Sequence, residues 1–398
     1  MSVRKRTWVS AGVQKTSWVV DYTDNGGKRR LKTFKLKKEA DEFAKRSGVE
    51  VLNGLHVPDS ATSTVEQAGR LWIQAGANAK LEQTTLDQRR QHLNLHILPF
   101  IGREKLNKIT VPFVQKFQTQ LLGSGRSTAM VKRVTVSLGS ILADAQYRGG
   151  AVRNAVHELN RAKSNHARIE KRHQSKLEIG VDIPTNDEVL AIIAAAEGRW
   201  RPFLIVAAFT GLRASELRGL SWRYVDLDNG LLHVRQRADR YSNIGPPKTA
   251  ASVRTIPLIP MAVDALEEWR GACPEGELSL VFPTGNGRVE GHSNIINRGF
   301  LPTQIACGIT EATGALDTEG EPIVTGKYTG LHALRHWYAS WCINRRADGG
   351  LEMLPKQLQE RLGHSNIAVT LDTYSHLFPA KNEKEQLILA QQALFGAT

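Results

Sequence analysis

Two stretches without apolar periodicity, His56–Ser63 and Arg161–Lys176, cut this 398-residue chain into three pieces, and no single hydrophobic core runs continuously across them. The first holds Pro58 and a Ser/Thr cluster; the second is polar and basic, with Lys163, His166, Arg168, Lys171, Arg172, His173 and Lys176. A chain of this length is in any case expected to build two or three cores. The division that follows is an N-terminal unit over 1–56, a second unit over 64–165, a basic linker over 166–181 and a third unit over 182–398.

The periodicity differs between the pieces. Trp8 and Val9, then Trp18, Val19, Val20 and Tyr22, are short β-prone runs, and Asp24-Asn25-Gly26-Gly27 is a turn signal before a third run ending at Phe34. A three-stranded sheet is expected, followed by a helix over Lys37–Leu55, where Ala40, Phe43, Ala44 and Val51 fall at helical spacing. From Thr64 to Asn165 the pattern is helical. Val65, Ala68, Leu71 and Trp72 make one apolar face; Leu86, Leu93 and Ile97 a second; Val114, Phe117 and Leu121 a third; Val131, Val134, Leu138 and Leu142 a fourth. Thr185-Asn186-Asp187-Glu188 matches a capping box in front of Val189, Leu190, Ile192 and Ile193, so a new helix opens the last unit. The fold class expected is multidomain α+β: a small three-stranded sheet with a helix, an all-α bundle, and a mainly α C-terminal domain with a small β-sheet.

Charge narrows the partners. With 53 Lys and Arg against 39 Asp and Glu the formal net charge is +14, which calls for a polyanion. No basic amphipathic stretch with a continuous apolar face serves a membrane surface, and no run reaches the roughly 20 apolar residues of a span, so nucleic acid leads. Cys273, Cys307 and Cys342 are widely spaced, with no CxxC pair; neither a disulfide framework nor a zinc knuckle is indicated, and a cytoplasmic protein is expected. A charge run is usually a solvated face. In the N-terminal unit, however, Arg4, Lys5, Arg6, Lys28, Arg29, Arg30 and Lys32 alternate with aromatics on a very small sheet, which favours a DNA-contacting surface. Arg89, Arg90, Lys132 and Arg133 lie off the apolar faces of the bundle and are further candidates for phosphate contact, although exposed basic residues on helices are commonplace.

Four segments of the last unit carry the chemistry. Thr210-Gly211-Leu212-Arg213-Ala214-Ser215-Glu216 places Arg213 in the first turns of a helix with Glu216 on the same side. Pro246-Pro247-Lys248-Thr249 followed by Arg254-Thr255-Ile256-Pro257 reads as a β-hairpin with Lys248 at its tip. His332-Ala333-Leu334-Arg335-His336 puts two histidines and an arginine on one helical face, and Leu362-Gly363-His364 precedes Tyr374 by ten residues. Each piece alone has an ordinary structural explanation: an ion pair, an exposed loop lysine, a core histidine. Their joint order does not.

Together these residues resemble the tyrosine recombinase family, in particular its phage and conjugative-element integrases, in which Arg, Lys, His-x-x-Arg, Gly-His and Tyr occur in this order. The resemblance covers Thr185–Phe378, and extends more weakly to the basic sheet and helical bundle, which look like that family's arm-binding and core-binding domains. It implies a site-specific recombinase that integrates and excises a mobile element through a 3′-phosphotyrosine on Tyr374, with no cofactor, no metal and no ATP. Two guanidiniums, Arg213 and Arg335, suit the non-bridging oxygens of a phosphodiester and the charge of its transition state. Tyr374, a phenol of reference pKa about 10, needs a base, for which His332 is the candidate. By resemblance Lys248 is the general acid for the departing 5′-oxygen, His364 hydrogen-bonds the phosphate and Glu216 is a supporting acid. The partners implied are double-stranded attachment-site DNA, three further copies of the chain in a tetramer on paired DNA, and a DNA-bending accessory protein.

Departures are few. Ala312–Gly326 is an acidic insert expected to be an exposed hairpin, Asn154 is followed by Ala155 where relatives often have proline, and Glu383–Phe395 reads as a short amphipathic helix that packs either on its own domain or on a neighbouring subunit. A metal-dependent phosphoesterase is the rival reading, since His332 and His336 have ligand spacing; against it, Ala333 stands where His-Glu-x-x-His needs its carboxylate, and no Asp-rich motif supplies oxygen ligands. A non-catalytic DNA-binding regulator fits the complete set of six residues poorly, and the basic N-terminal sheet, as a second DNA site, argues against a topoisomerase-like nicking and resealing enzyme.

Overall fold

The β-prone runs at the N-terminus fold, in the computed structural model, into an antiparallel sheet of β1 (Ser2–Ser10), β2 (Val13–Thr23) and β3 (Arg29–Phe34). The structure describes residues 1–11, 13–24, 26–52, 58, 62–150, 153–161, 176–378 and 383–396; most of the expected basic linker, including Lys163 through His173, lies outside them. The chain divides into two compact units, Met1–Gln174 and Ser175–Thr398.

In β2 the alternate residues Trp18, Val20 and Tyr22 pack under helix α1 (Lys37–Leu52), against Ala40 and Phe43. The β2–β3 turn is fixed by Asp24, whose carboxylate accepts from Gly26 N at 3.0 Å, Lys28 N at 2.9 Å and Arg30 Nε at 2.8 Å. The pleat sorts the basic residues. Pairing of Val19 with Arg4 and Thr33 puts Arg4, Arg6, Lys15 and Arg29 on the face away from the helix, where Arg29 grips Asp21 and Arg4 lies 3.8 Å from it. Arg30 and Lys32 lie on the helix side: Arg30 is bound to Asp24, and the Lys32 Nζ sits 4.4 Å from the centroid of the Phe43 ring. The candidate DNA-contacting surface is therefore narrower than the basic count implied.

The second core belongs to a helical bundle. Thr64 and Gln67 form a capping box for α2 (Val65–Asn78). Helix α3 (Gln83–Gln91) continues through a π turn, His92–Ile97, into α4 (Leu98–Ile101); Leu98 N reaches five residues back to Leu93 O just before Pro99, which has no N–H to give. Helices α5 (Val111–Gly123) and α6 (Thr128–Tyr147) complete the expected four faces around Trp72, Leu93, Ile97, Phe117 and Leu138, with Leu71 left exposed on the outside. A further helix, α7 (155–161), whose apolar face is not among the four, falls in the stretch expected to be helical: Asn154 accepts from His157 N at 3.3 Å and donates to Gly139 O at 2.8 Å, pinning Ala155, Val156 and Leu159 into the same core. The asparagine side chain thus caps the first turn of α7.

The second unit is mostly helical around one large core. The capping box at Thr185 and Glu188 starts α8 (Asn186–Ala195), and α9 (Trp200–Thr210) is apolar nearly all round and runs through the middle. After α10 (Ala214–Arg218), β4 (Val225–Asp226), β5 (Leu231–Val234) and β8 (Arg254–Pro257) make an antiparallel sheet, with β6 (Arg237–Ala238) and β7 (Ile244–Gly245) as a separate ribbon. Helices α11 (Pro260–Ala272), α12 (His292–Asn294) and α13 (Leu301–Ala306) lead to the insert, an exposed antiparallel hairpin of β9 (Thr310–Leu316) and β10 (Pro322–Gly326). Its base is gripped hard: Gln304 holds both the N–H and the C=O of Tyr328, at 2.8 and 3.0 Å, while Lys327 Nζ and the Tyr328 hydroxyl donate to Glu188 at 2.6 and 2.7 Å. Then come α14 (His332–Ile343), α15 (Pro355–Leu362), α16 (Ile367–Tyr374) and α17 (Glu383–Phe395). Leu387, Ile388, Leu394 and Phe395 of α17 are exposed. Among the described residues, no helix is long and apolar enough to cross a membrane.

Arg89, a candidate for phosphate contact, is engaged within the bundle: its guanidinium lies 4.3 Å from the centroid of the Trp72 ring and donates to Trp72 O at 3.1 Å. Arg89→Ala should cost about 1–2 kcal/mol in a denaturant melt. Lys132→Ala, on the exposed face of α6, should change stability by no more than about 0.5 kcal/mol, and any effect it has should appear in the salt dependence of DNA binding.

Candidate active site

Gly211 ends α9 in the left-handed region at φ +58°, and a Cβ there would lie 2.4 Å from the Tyr338 ring, so the tight exit depends on glycine. The chain turns at once, and Arg213 becomes the N-cap of α10, one step before the helical position expected for it. Glu216, at the third helical position, is buried and accepts from Arg213 N at 2.9 Å and from its Nη1 at 2.9 Å, while Nη2 donates to Gly363 O at 3.1 Å.

A third guanidinium, which the sequence reading passed over, completes this cluster. Arg254 sits on β8 on the same side as buried Ile256 and binds Glu216 through two nitrogens at 3.1 and 2.9 Å; its Nε donates to Arg361 O at 2.9 Å. Burial alone would raise the Glu216 pKa, but the hydrogen bonds and charge of Arg254, aided by Arg213, hold it below the ordinary carboxylate value. The signal was available: a charged residue at an inward position of a period-two strand demands a buried partner.

Arg335, in the first turn of α14, is 2% exposed. It donates to Gly211 O, to Leu362 O at 2.7 Å and to His364 Nε2 at 3.1 Å. Burial first, and then repulsion from Arg213, bring its pKa down to about 9, so it still carries its proton at pH 7. Three guanidiniums around one carboxylate leave an excess of positive charge, the complement of a phosphate group.

His364 follows Gly363, the left-handed residue that ends α15. Arginine only donates, so Nε2 accepts; the ring proton is then on Nδ1, which meets Thr370 Oγ1 at 2.9 Å. Burial and the surrounding arginines push His364 down to about 4, which keeps the ring neutral. The residue expected to hydrogen-bond a phosphate thus has both nitrogens engaged within the protein, bracing Arg335.

Lys248 is exposed in the loop between β7 and β8. The expected hairpin with Lys248 at its tip does not form, because β8 pairs with β5 and Ala250–Ser252 makes a 3-10 turn in between. Lys248 nevertheless lines an open cleft of about 410 Å³ together with Arg213, Arg237, Ser252 and His364, so the loop reaches the arginines without a hairpin.

Tyr374, the last residue of α16, is 1% exposed and is not among the residues lining that cleft. Its hydroxyl lies 2.8 Å from Nδ1 of His336, not of His332. His332, the base expected from sequence, is exposed and meets His336 edge-on with ring centroids 4.6 Å apart. Burial pushes the Tyr374 phenol up to about 12, against the pull of Arg335 and Arg213, and burial next to His332 and Arg335 holds His336 at about 4. Just beyond the tyrosine, His376 Nε2 donates to Leu177 O at 2.8 Å, tying the segment after α16 to the start of the unit. The described His, Cys, Asp and Glu side chains form no cluster of three.

Comparison with known proteins fits this geometry. Residues 184–381 match the model of the phage integrase family, and residues 64–122 that of the phage integrase N-terminal SAM-like domain. A tyrosine recombinase XerC-like protein of Caldanaerobacter subterraneus subsp. tengcongensis is 25% identical, covering 89% of this chain and 90% of its own length. The ICEBs1 integrase of Bacillus subtilis is 23% identical over 73% of each chain, and the prophage integrase IntR of Escherichia coli K12 is 31% identical over 51% of this chain and 49% of its own. The fold is shared with the Tn1549 transposon integrase, solved in complex with a circular intermediate DNA (TM-score 0.61, 19% identity, 82% of this chain and 99% of that one). It is also shared with the lambda integrase, solved as a tetramer bound to a Holliday junction (TM-score 0.53, 19% identity, 91% and 92%).

Two outcomes follow from the charge cluster. Glu216→Ala should destabilise the protein by about 3–5 kcal/mol in a denaturant melt, because it leaves Arg254 buried without a counter-charge. His336 and His364 are held at about 4 against an ordinary 6.5, so between those values the unfolded chain binds more protons than the folded one. Stability that is fully present above pH 6.5 is therefore lost as the pH falls toward 4; the thermal midpoint should drop from pH 7 to pH 5, and less steeply in His364→Asn.

Proposed function

Because the chain belongs to the phage integrase family of tyrosine recombinases, DNA-cleaving and rejoining enzymes, and is a site-specific integrase of a mobile element, we propose that it integrates and excises that element through a covalent bond between Tyr374 and a DNA 3′-phosphate. The observation that carries this reading is the pairing of Arg213 and Arg254 with Glu216 and the fixing of Arg335 by Gly211 O, Leu362 O and His364, beside a cleft that Lys248 also lines, with Tyr374 in the same core.

In this mechanism Arg213 and Arg335 hold the non-bridging oxygens of the scissile phosphate and stabilise the charge of the in-line transition state. They are fixed in advance by Glu216, by the carbonyls of Gly211, Leu362 and Gly363, and by His364, so little reorganisation remains when DNA arrives. The Tyr374 oxygen attacks phosphorus and the bond to the 5′-oxygen breaks. With a phenol pKa of about 12, roughly one molecule in 10⁵ is ionised at pH 7, so the proton has to leave during attack, with His332 as the candidate base. The ammonium of Lys248 supplies a proton to the 5′-oxygen. A 5′-hydroxyl from another strand then reverses these steps and reseals the DNA; the diester is conserved throughout, so no ATP is required.

The arginines bring the charge that magnesium supplies in other phosphoryl-transfer enzymes. The Holliday-junction tetramer of the lambda integrase supports a tetramer of this chain on paired DNA, with the basic outer face of the N-terminal sheet on a second DNA segment.

The decisive experiment is to trap a covalent complex on nicked duplex carrying the element's attachment site. Wild-type protein should form it, with EDTA present or absent, and Tyr374→Phe should form none; an adduct in the Phe variant would overturn the reading. Removing residues 1–55 should abolish integration in a two-site assay and leave cleavage of the core site intact.

A further inference from the structure

The order of the known motif leaves one residue of the site without a role. His336 follows Arg335 directly on α14, and its Nδ1 is the atom that meets the Tyr374 hydroxyl, at 2.8 Å. A neutral phenol carries an O–H that needs an acceptor once it is buried. The His336 ring is neutral as well, so with its proton on Nε2 the bare Nδ1 is that acceptor. Helix α14 gives the ring a rigid base: Leu334, Trp337, Tyr338 and Ala339 around it are buried, and Trp337 Nε1 donates to Asn186 Oδ1 at 3.0 Å.

We propose that His336 is the positioning residue of the nucleophile, using Nδ1 to hold the Tyr374 oxygen in register with Arg335. The inference rests on the reading of Tyr374 as the attacking group. Its physical content is that two consecutive residues of one buried helix fix both partners of the reaction: the guanidinium of Arg335 sets the phosphate and the imidazole of His336 sets the phenol. An in-line attack needs the two within a fraction of an ångström of their proper separation, and adjacent residues on a rigid helix can hold that tolerance where two loops cannot. Packing against the apolar core would by itself leave the phenol free to rotate its O–H, and the bond to Nδ1 removes that freedom.

The test compares two substitutions of nearly equal shape, His336→Asn, whose amide reaches about as far as Nδ1, and His336→Leu, which fills the space without a hydrogen bond. Single-turnover formation of the covalent adduct on nicked attachment-site duplex, the dissociation constant for the same DNA and the thermal midpoint are measured for both. His336→Leu should slow adduct formation about 10–100-fold with DNA affinity unchanged, and His336→Asn should stay within about 3-fold of wild type. Leucine cleaving as fast as wild type would overturn the proposal. So would asparagine falling as far as leucine, since a packing fault strikes both. If the wild-type protein itself makes no Tyr374-dependent adduct, the parent reading falls and takes this one with it; an undiminished rate in His336→Leu, in a protein that still needs Tyr374, removes this inference alone.

Discussion

The site depends on one buried carboxylate. Glu216 is the only acidic group hydrogen-bonded to the described arginine cluster, and it accepts from two of the three guanidiniums while lying nearly out of reach of water. Burying Arg254 and Arg335 without it would set like charges against each other in a poor dielectric, a cost of several kcal/mol per ion. With it, the cluster is tolerable to the fold and still short of negative charge. That residual imbalance is the electrostatic complement of a phosphodiester, and in the proposed reaction the substrate would complete an arrangement that the protein alone leaves unfinished.

Backbone geometry does as much as charge. Helices α9 and α15 both end on a left-handed glycine, and the carbonyls exposed there, Gly211 O, Leu362 O and Gly363 O, are the ones that Arg335 and Arg213 grip. A helix C-terminus has carbonyls without intrahelical partners, and here guanidiniums take them up. The same bonds cap the helices and aim the arginines, so local stability and the geometry of the site cannot be varied separately.

Much of this was legible in the residues. The Asp24 turn, the Thr185–Glu188 capping box and the exposed hairpin at 310–326 are local features, each settled by a few neighbouring residues, and each formed where expected. The motif order located Arg213, Glu216, Arg335 and His364 in one cluster, with Tyr374 in the same core. What escaped was non-local. His332 and His336 are equivalent by helical spacing, and which one meets the tyrosine depends on how α16 lies against α14, which sequence separation does not encode. Arg254 reads in the sequence only as a strand residue of the hairpin that offers Lys248, because its partner is 38 positions away. Arg89 read as a free basic side chain because nothing local reveals Trp72 beneath it.

The insert shows how such a site can live with change nearby. The hairpin β9–β10 hangs directly ahead of α14, the helix that carries Arg335 and His336, so any strain in it could be passed on. The clamp at its foot prevents this: Gln304 fixes both backbone groups of Tyr328, and Glu188 fixes the Lys327 and Tyr328 side chains. The clamp works as a bulkhead. Held at that foot, the exposed loop beyond is mechanically separated from the start of α14, so this edge of the domain is where a change of length or sequence would disturb the chemistry least.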